Sequence, residues 1–302
     1  MERFYITNGP HSGPYDCCNT VMTRQEEIRK LLNLSPAQMQ KRAGKKLVIC
    51  SDIDALHQHF AEEIASEIKA NNAKNRATKL ILPVGPVGQY PILAQMINDE
   101  KISLKQCWFF MMDEQCDDNG IVLPADHPLS FRCTFNEQFA SRVKRNLMIP
   151  AKQLIFPDQL NVQTLKDRIA SVGGIDTTYG GIGIHGHVAY NEPEPNVRAS
   201  DPRLVYLNDF TRTINAVRAG IGGNLEGHPR KGITLGMRQI LGAKRIRLYC
   251  RNGISFDWAN TVLRLALFGN PGDDYPVTHI RNHKNYVIIT DEDTAKKPRY
   301  IV

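Results

Sequence analysis

Two histidines and a carboxylate stand close together in the segment Gly180-Gly181-Ile182-Gly183-Ile184-His185-Gly186-His187-Val188-Ala189-Tyr190-Asn191-Glu192-Pro193. Imidazole titrates near neutrality, so it can give and take protons, and a nearby carboxylate can fix its tautomer and stabilise its charged form. The glycines let the backbone approach a ligand or a neighbouring side chain closely. A second candidate is Asp113-Glu114, directly after the apolar run 107–112. A carboxyl group at that position is partly removed from water, which raises its pKa toward the range of a useful general base. A third is the turn Pro83-Val84-Gly85-Pro86-Val87-Gly88-Gln89-Tyr90. Between a strand and a helix, such a turn can aim backbone N–H groups at an anion with the help of the helix dipole, although Pro86 has no N–H to offer. His185 and His187 are two apart on an extended segment and face the same side, which leaves open a divalent metal held with Asp113 or Glu192.

These groups need a scaffold, and the hydropathy pattern predicts one. Short apolar runs at 47–50, 80–83, 107–112, 182–184, 246–250 and 287–290 alternate with helical patterns. The helix after the first run, over 53–70, has apolar residues at 53, 56, 60, 64 and 68, with Ser51 or Asp52 as its N-cap, and another helix starts near Pro91. Largely apolar strands separated by helices imply an α/β fold with a doubly wound, mainly parallel sheet and helices on both faces, a Rossmann-like three-layer sandwich. Ligands bind outside the carboxyl ends of such strands, where all three candidate segments fall. Residues 1–45 read as an N-terminal extension packed on the main body, with turns at Gly9-Pro10 and Gly13-Pro14 and a helix from Thr23 to Leu32; 46–302 form the α/β domain.

Composition narrows the function classes. The chain has 302 residues, 42% of them hydrophobic, and a formal charge of +7. Its basic residues are scattered; the densest groups, Arg142, Lys144 and Arg145, then Lys244, Arg245 and Arg247, are short, so a nucleic-acid-binding face is not expected. Seven cysteines, an odd number without zinc-finger spacing, include Cys50, Cys107 and Cys250 inside apolar runs, which suits buried thiols in a reducing compartment. No segment reads as a signal peptide or membrane span, so a cytoplasmic location is expected.

From about Lys46 to its C-terminus the sequence resembles the glucosamine-6-phosphate deaminases, which are related by fold to 6-phosphogluconolactonases. The resemblance rests on Met112-Asp113-Glu114, His127-Pro128, the Gly-Gly-Ile-Gly segment, Gly186-His187-Val188-Ala189-Tyr190-Asn191-Glu192-Pro193, Ile233-Thr234-Leu235-Gly236 and Asp291-Glu292. It implies a sugar isomerase or deaminase of the hydrolase class that acts on an amino sugar or its phosphate, needs no cofactor or metal, and assembles as a homo-oligomer. In that reading Asp113 moves a proton from sugar C2 toward C1, and His187, oriented by Glu192, opens the pyranose ring. His185 joins the catalytic group, while Gly85, Val87, Gly88, Glu114, Gly183, Gly186 and Arg218 surround the substrate.

Three departures accompany the resemblance. His185 replaces an aspartate, and Val84, Pro86 and Val87 replace the hydroxyl residues of the phosphate loop. Ile254 or Ser255 stands where the family has a phosphate-binding lysine, and Val217, beside Arg218, where it has an arginine; Lys231 and Arg251 are alternative cations. A lactonase-type hydrolase, with His187 activating water, and a sugar-binding regulator without turnover are the competing functions.

Overall fold

The computed structural model describes residues 22–252 and 258–302. Gly9-Pro10, Gly13-Pro14, Cys17, Cys18, Ile254 and Ser255 lie outside the described residues. In chain order the strands are β1 (Leu47–Cys50), β2 (Thr78–Leu82), β3 (Cys107–Met111), β4 (Asp113–Cys116), β5 (Leu154–Ile155), β6 (Thr177–Gly181), β7 (Arg203–Tyr206), β8 (Lys231–Thr234), β9 (Arg245–Cys250) and β10 (Tyr286–Asp291). The helices are α1 (Arg24–Leu32), α2 (Pro36–Ala43), α3 (Ile53–Asn72), α4 (Gln89–Asp99), α5 (Phe131–Gln138), α6 (Leu165–Ser171), α7 (Asp209–Arg218), α8 (Met237–Leu241), α9 (Ala259–Phe268) and α10 (Glu292–Ala295).

Seven strands form one sheet in the order β1-β10-β9-β6-β2-β3-β5, with every pairing parallel. Successive side chains of a strand point to opposite faces, so each strand feeds two cores. Leu80, Leu82, Phe109, Met111, Tyr249 and Ile289 pack with Leu56, Phe60 and Ile64 of α3 and Leu93 of α4. Their sequence neighbours Ile81, Phe110, Leu248 and Ile288 pack on the other face with Ile240 of α8 and Leu263 and Ala266 of α9. Coverage on both sides explains why these strands are apolar throughout. Asp52, not Ser51, caps α3, accepting the Ala55 N–H at 2.8 Å.

Two expectations need correction. Hydropathy predicts a strand at 182–184, but β6 occupies Thr177–Gly181 and Ile184–Gly186 forms a 3-10 turn. The hydroxyls of Thr177 and Thr178 are buried inside the strand and donate to Glu67 Oε1 (2.9 Å) and Ile240 O (3.2 Å). Hydropathy therefore marks the strand too late. Helix α4 starts at Gln89, so Pro91 sits in its first turn, where a missing N–H leaves no bond unmade. A feature that hydropathy does not predict is a small antiparallel sheet, β4-β8-β7, in which Asp113 pairs with Thr234.

α1 packs on α9, and Leu31 and Met39 join the core that α9 helps build. Arg24 forms an ion pair with Asp274 at 2.6 Å, and Glu27 accepts the Asn270 N–H at 2.7 Å. Beneath them Arg264 is fully buried. Its guanidinium donates to four carbonyls, those of Asn260 (3.0 Å), Leu34 (2.9 Å), Ala295 (3.1 Å) and Lys296 (3.2 Å). Burial pushes its pKa down to about 10. No helix among the described residues is long and apolar enough to cross a membrane.

Arg264→Met should fill the same space yet take the guanidinium donor from each of those carbonyls, of which Lys296 O keeps Asn260 Nδ2 at 3.0 Å. The expected loss is about 2–4 kcal/mol in urea unfolding, with the catalytic site intact. A loss below about 0.5 kcal/mol, the range of ordinary surface changes, would show that the carbonyls find other donors.

Candidate active site

The carboxyl ends of β2, β3, β6 and β9 converge on one edge of the large sheet. Met112 still bonds to the sheet, its N–H donating to Leu82 O at 2.9 Å, and the next residue begins β4 in the small sheet. Asp113 thus sits where the chain leaves one sheet for the other. It is 7% exposed, and burial, with the charge of Glu114 as a second cause, pushes its carboxyl pKa up to about 8. Glu114 is also buried but differently supplied. Its carboxylate accepts the Phe131 N–H (2.7 Å), Arg132 N–H (2.9 Å), Gln115 N–H (2.9 Å) and Ser130 hydroxyl (3.3 Å). It therefore takes up the free donors at the start of α5, and these bonds oppose the upward shift that burial causes. Glu114 anchors the loop.

His187 depends on Gly183. A Cβ on Gly183 would lie 1.8 Å from His187 Nε2, so the imidazole rests on the bare backbone of the turn after β6. Burial, then the charges of Arg218 and His185, push the His187 pKa down to about 3. Its Nδ1 lies 3.4 Å from the Thr211 hydroxyl of α7. Glu192 accepts the Asn208 N–H at 2.8 Å, and its pKa is raised by burial against the opposing effects of Thr211 and that N–H. Among the described residues no direct hydrogen bond joins Glu192 to His187. Thr211 stands between them, and no motif in the sequence marks it.

Several expected site residues lie apart. His185 has left-handed backbone (φ 60°), and its ring meets Phe210 edge-on at 4.5 Å, outside the cavity lining. Gly186 faces Val277 and Tyr275. Gly88 lies against the His57 ring, which a Cβ there would meet at 2.3 Å. Lys231 donates to Asp118 O at 2.7 Å and lies over the Tyr206 ring, away from the cavity. No group of three His, Cys, Asp or Glu among the described residues could hold a metal ion.

The cavity at the sheet edge, about 90 Å³, brings together Asp113, His187, Gly85, Gly183, Arg218 and Arg251, with Asn215, Tyr190 and Phe131 in its wall. Arg218 and Arg251 have no carboxylate partner among the described residues. Part of Arg218 is open to solvent, yet the protein around its guanidinium and the neighbouring charge of Arg251 push its pKa down to about 10. Arg251 is lowered by burial, opposed by Asp291. Arg251 acts on Arg218 as a like charge, and neither forms an ion pair among the described residues, so the field at this edge of the cavity is positive. Thr211, Asn215 and Arg218 are spaced i, i+4, i+7 along α7, a polar stripe that would have identified the site-facing side of this helix.

No family model matches the chain. Curated relatives named glucosamine-6-phosphate deaminase include one from Phocaeicola vulgatus, 30% identical over 256 residues, covering 82% of this chain and 91% of the relative. One from Clostridium perfringens is 26% identical over 256 residues, covering 83% and 98%. Among solved structures, a monomeric glucosamine-6-phosphate deaminase superposes with a TM-score of 0.71 at 25% identity, covering 83% of this chain and 98% of that one. A 6-phosphogluconolactonase from Leishmania guyanensis shares the fold, with a TM-score of 0.61, 16% identity and 83% and 97% coverage.

The pKa of Asp113 gives a pH test. With a folded value of about 8 against roughly 3.9 in the unfolded chain, the native protein keeps a proton that the unfolded chain releases. The stability contributed this way is present below about pH 4 and is lost as pH rises through 8. Asparagine does not titrate, so Asp113→Asn should gain stability relative to the parent, by a few kcal/mol, between about pH 5 and 9. Urea midpoints that track each other over that range would mean that Asp113 is already ionised in the free protein.

Proposed function

The chain belongs to the glucosamine-6-phosphate deaminase family, and from that membership we propose that it converts an amino-sugar phosphate and water into the corresponding ketose phosphate and ammonia. The observation that carries the proposal is the polarity of the cavity: a desolvated carboxyl group with a raised pKa, Asp113, and two guanidiniums, Arg218 and Arg251, that form no ion pair among the described residues. An amino-sugar phosphate has a cationic amine and an anionic phosphate to match them.

In this reading the phosphate lies against Arg218 and Arg251, and the Gly85 turn approaches it. Arg251 takes the place of the absent lysine, and charge-assisted bonds from two guanidiniums substitute for the hydroxyl donors that Val84, Pro86 and Val87 do not supply. Binding has two electrostatic consequences. The anion offsets the positive field of Arg218, one cause of the low His187 pKa, and so makes the imidazole more basic. The substrate ammonium favours the ionised form of Asp113 and lowers its pKa from about 8. The substrate thereby brings both groups toward working range.

His187 carries a proton from the anomeric hydroxyl to the ring oxygen, which opens the ring, and Thr211 links it to the Glu192 side. Asp113, as carboxylate, removes the C2 proton and returns one to C1. Water then replaces the nitrogen, which leaves as ammonia.

The purified protein given glucosamine 6-phosphate should yield ammonia and fructose 6-phosphate in equal amounts. Asp113→Asn is expected to lower kcat on the order of 10²–10⁴-fold with little change in KM. Arg218→Gln and Arg251→Gln should each raise KM for the phosphorylated sugar by roughly 10- to 100-fold. His185→Asp alone should gain little, since that ring leans on Phe210. Turnover of a sugar lactone with no ammonia release, or saturable sugar binding without any turnover, would overturn the proposal.

A further inference from the structure

A second cavity of about 510 Å³ adjoins the first, and Gly85, Phe131, Asn215, Arg218 and Arg251 line both. Beyond those shared residues its walls are mostly apolar, with Val84, Val87, Leu129, Ile214, Val217 and Trp258 among them. Asp113 and His187 line only the first cavity, so the guanidiniums mark the junction between the reacting end and the apolar chamber. The first cavity is small beside the ~300–1,000 Å³ usual for small-molecule sites, whereas the second falls inside that range.

We propose that the second cavity is a subsite for an apolar group, such as one ring or a short hydrocarbon chain, esterified to the phosphate of the ligand. The proposal rests on the reading of Arg218 and Arg251 as the phosphate site. A phosphate at the junction has one ester oxygen directed to the sugar in the first cavity, and a second substituent has the apolar chamber available on its other side.

The supply of donors points the same way. A terminal phosphate turns three oxygens outward, yet Val84, Pro86 and Val87 have no hydroxyl, and Pro86 has no N–H either. A substituted phosphate keeps two non-bridging oxygens, which two guanidiniums satisfy. The valines that remove hydroxyls from the phosphate loop become, in this geometry, the walls that receive the substituent. Val217, 52% exposed on α7, and Trp258, whose ring lies 5.9 Å from the Arg218 guanidinium, complete an apolar rim beside the cation. Such a rim favours an aromatic or aliphatic group directly attached to an anion.

Calorimetric titration of the full chain with inorganic phosphate, methyl phosphate and phenyl phosphate separates the subsite from the anion site. Phenyl phosphate should bind about tenfold or more tightly than methyl phosphate, the gain expected from burying one ring. Leu129→Asn and Ile214→Asn, on two different walls of the second cavity, should each bring phenyl phosphate down to the methyl phosphate level and leave inorganic phosphate binding unchanged. That constancy also shows that the variants are folded. Equal affinity for the two esters in the parent protein, or a phenyl preference that survives both substitutions, overturns the subsite while leaving the anion site standing. Failure of the parent to bind inorganic phosphate at all overturns the anion site and the subsite with it.

Discussion

Asp113 follows a strand that has protein on both faces, and its carboxyl group is removed from water by the same packing that holds the sheet together. Desolvation of charge at this edge organises the rest of the site. Glu114, one residue on, faces the same loss of water, but the fold gives it backbone donors at the start of α5 and a serine hydroxyl. Asp113 receives none of these, and its pKa rises to about 8. Adjacent carboxyl groups are thus driven apart by the neighbours supplied to each: one fixes a loop, and the other is left without a donor and with a raised pKa. The guanidiniums of Arg218 and Arg251 present the same problem with opposite sign, since both are crowded by protein and Arg218 also by the charge of Arg251.

The histidine segment is held by contact more than by charge. His187 lies on Gly183, and its Nδ1 meets a hydroxyl of α7, that of Thr211. α7 therefore supplies two kinds of control at once: a hydroxyl for the imidazole and, two turns further on, the Arg218 guanidinium that depresses the imidazole's pKa. The departure at position 185 is less disruptive than its chemistry suggests, because the left-handed turn carries that ring to Phe210.

Much of this is legible in the residue pattern where burial leaves an apolar signature. β1 is found where the run Leu47-Val48-Ile49-Cys50 places it, and α3 follows its apolar spacing. The strand before the histidines is misplaced by hydropathy because its buried threonines look polar in sequence and find partners only in three dimensions. β4, reading Asp-Glu-Gln-Cys, has no apolar alternation at all, so the small sheet does not follow from hydropathy. Asp113 and His187 are visible because their types and positions after apolar or glycine-rich segments imply chemistry. Arg251 is one of several cations that sequence does not rank, and Thr211 has no signal beyond the helical spacing it shares with Asn215 and Arg218.

β1 stands at the rim of the large sheet with β10 as its sole partner there, and Leu47 pairs with Ile288. A chain emerging from the ribosome N-terminus first exposes Leu47-Val48-Ile49 long before residues 286–291 exist to receive them. The Leu34 carbonyl depends on the same late arrival, since the arginine that binds it is also secured by Ala295 and Lys296. Parallel pairing between such distant segments is slow, and an unpaired apolar strand edge invites other chains or a chaperone in the interval. The beginning of the described chain therefore completes its pairing only after β10 has been made.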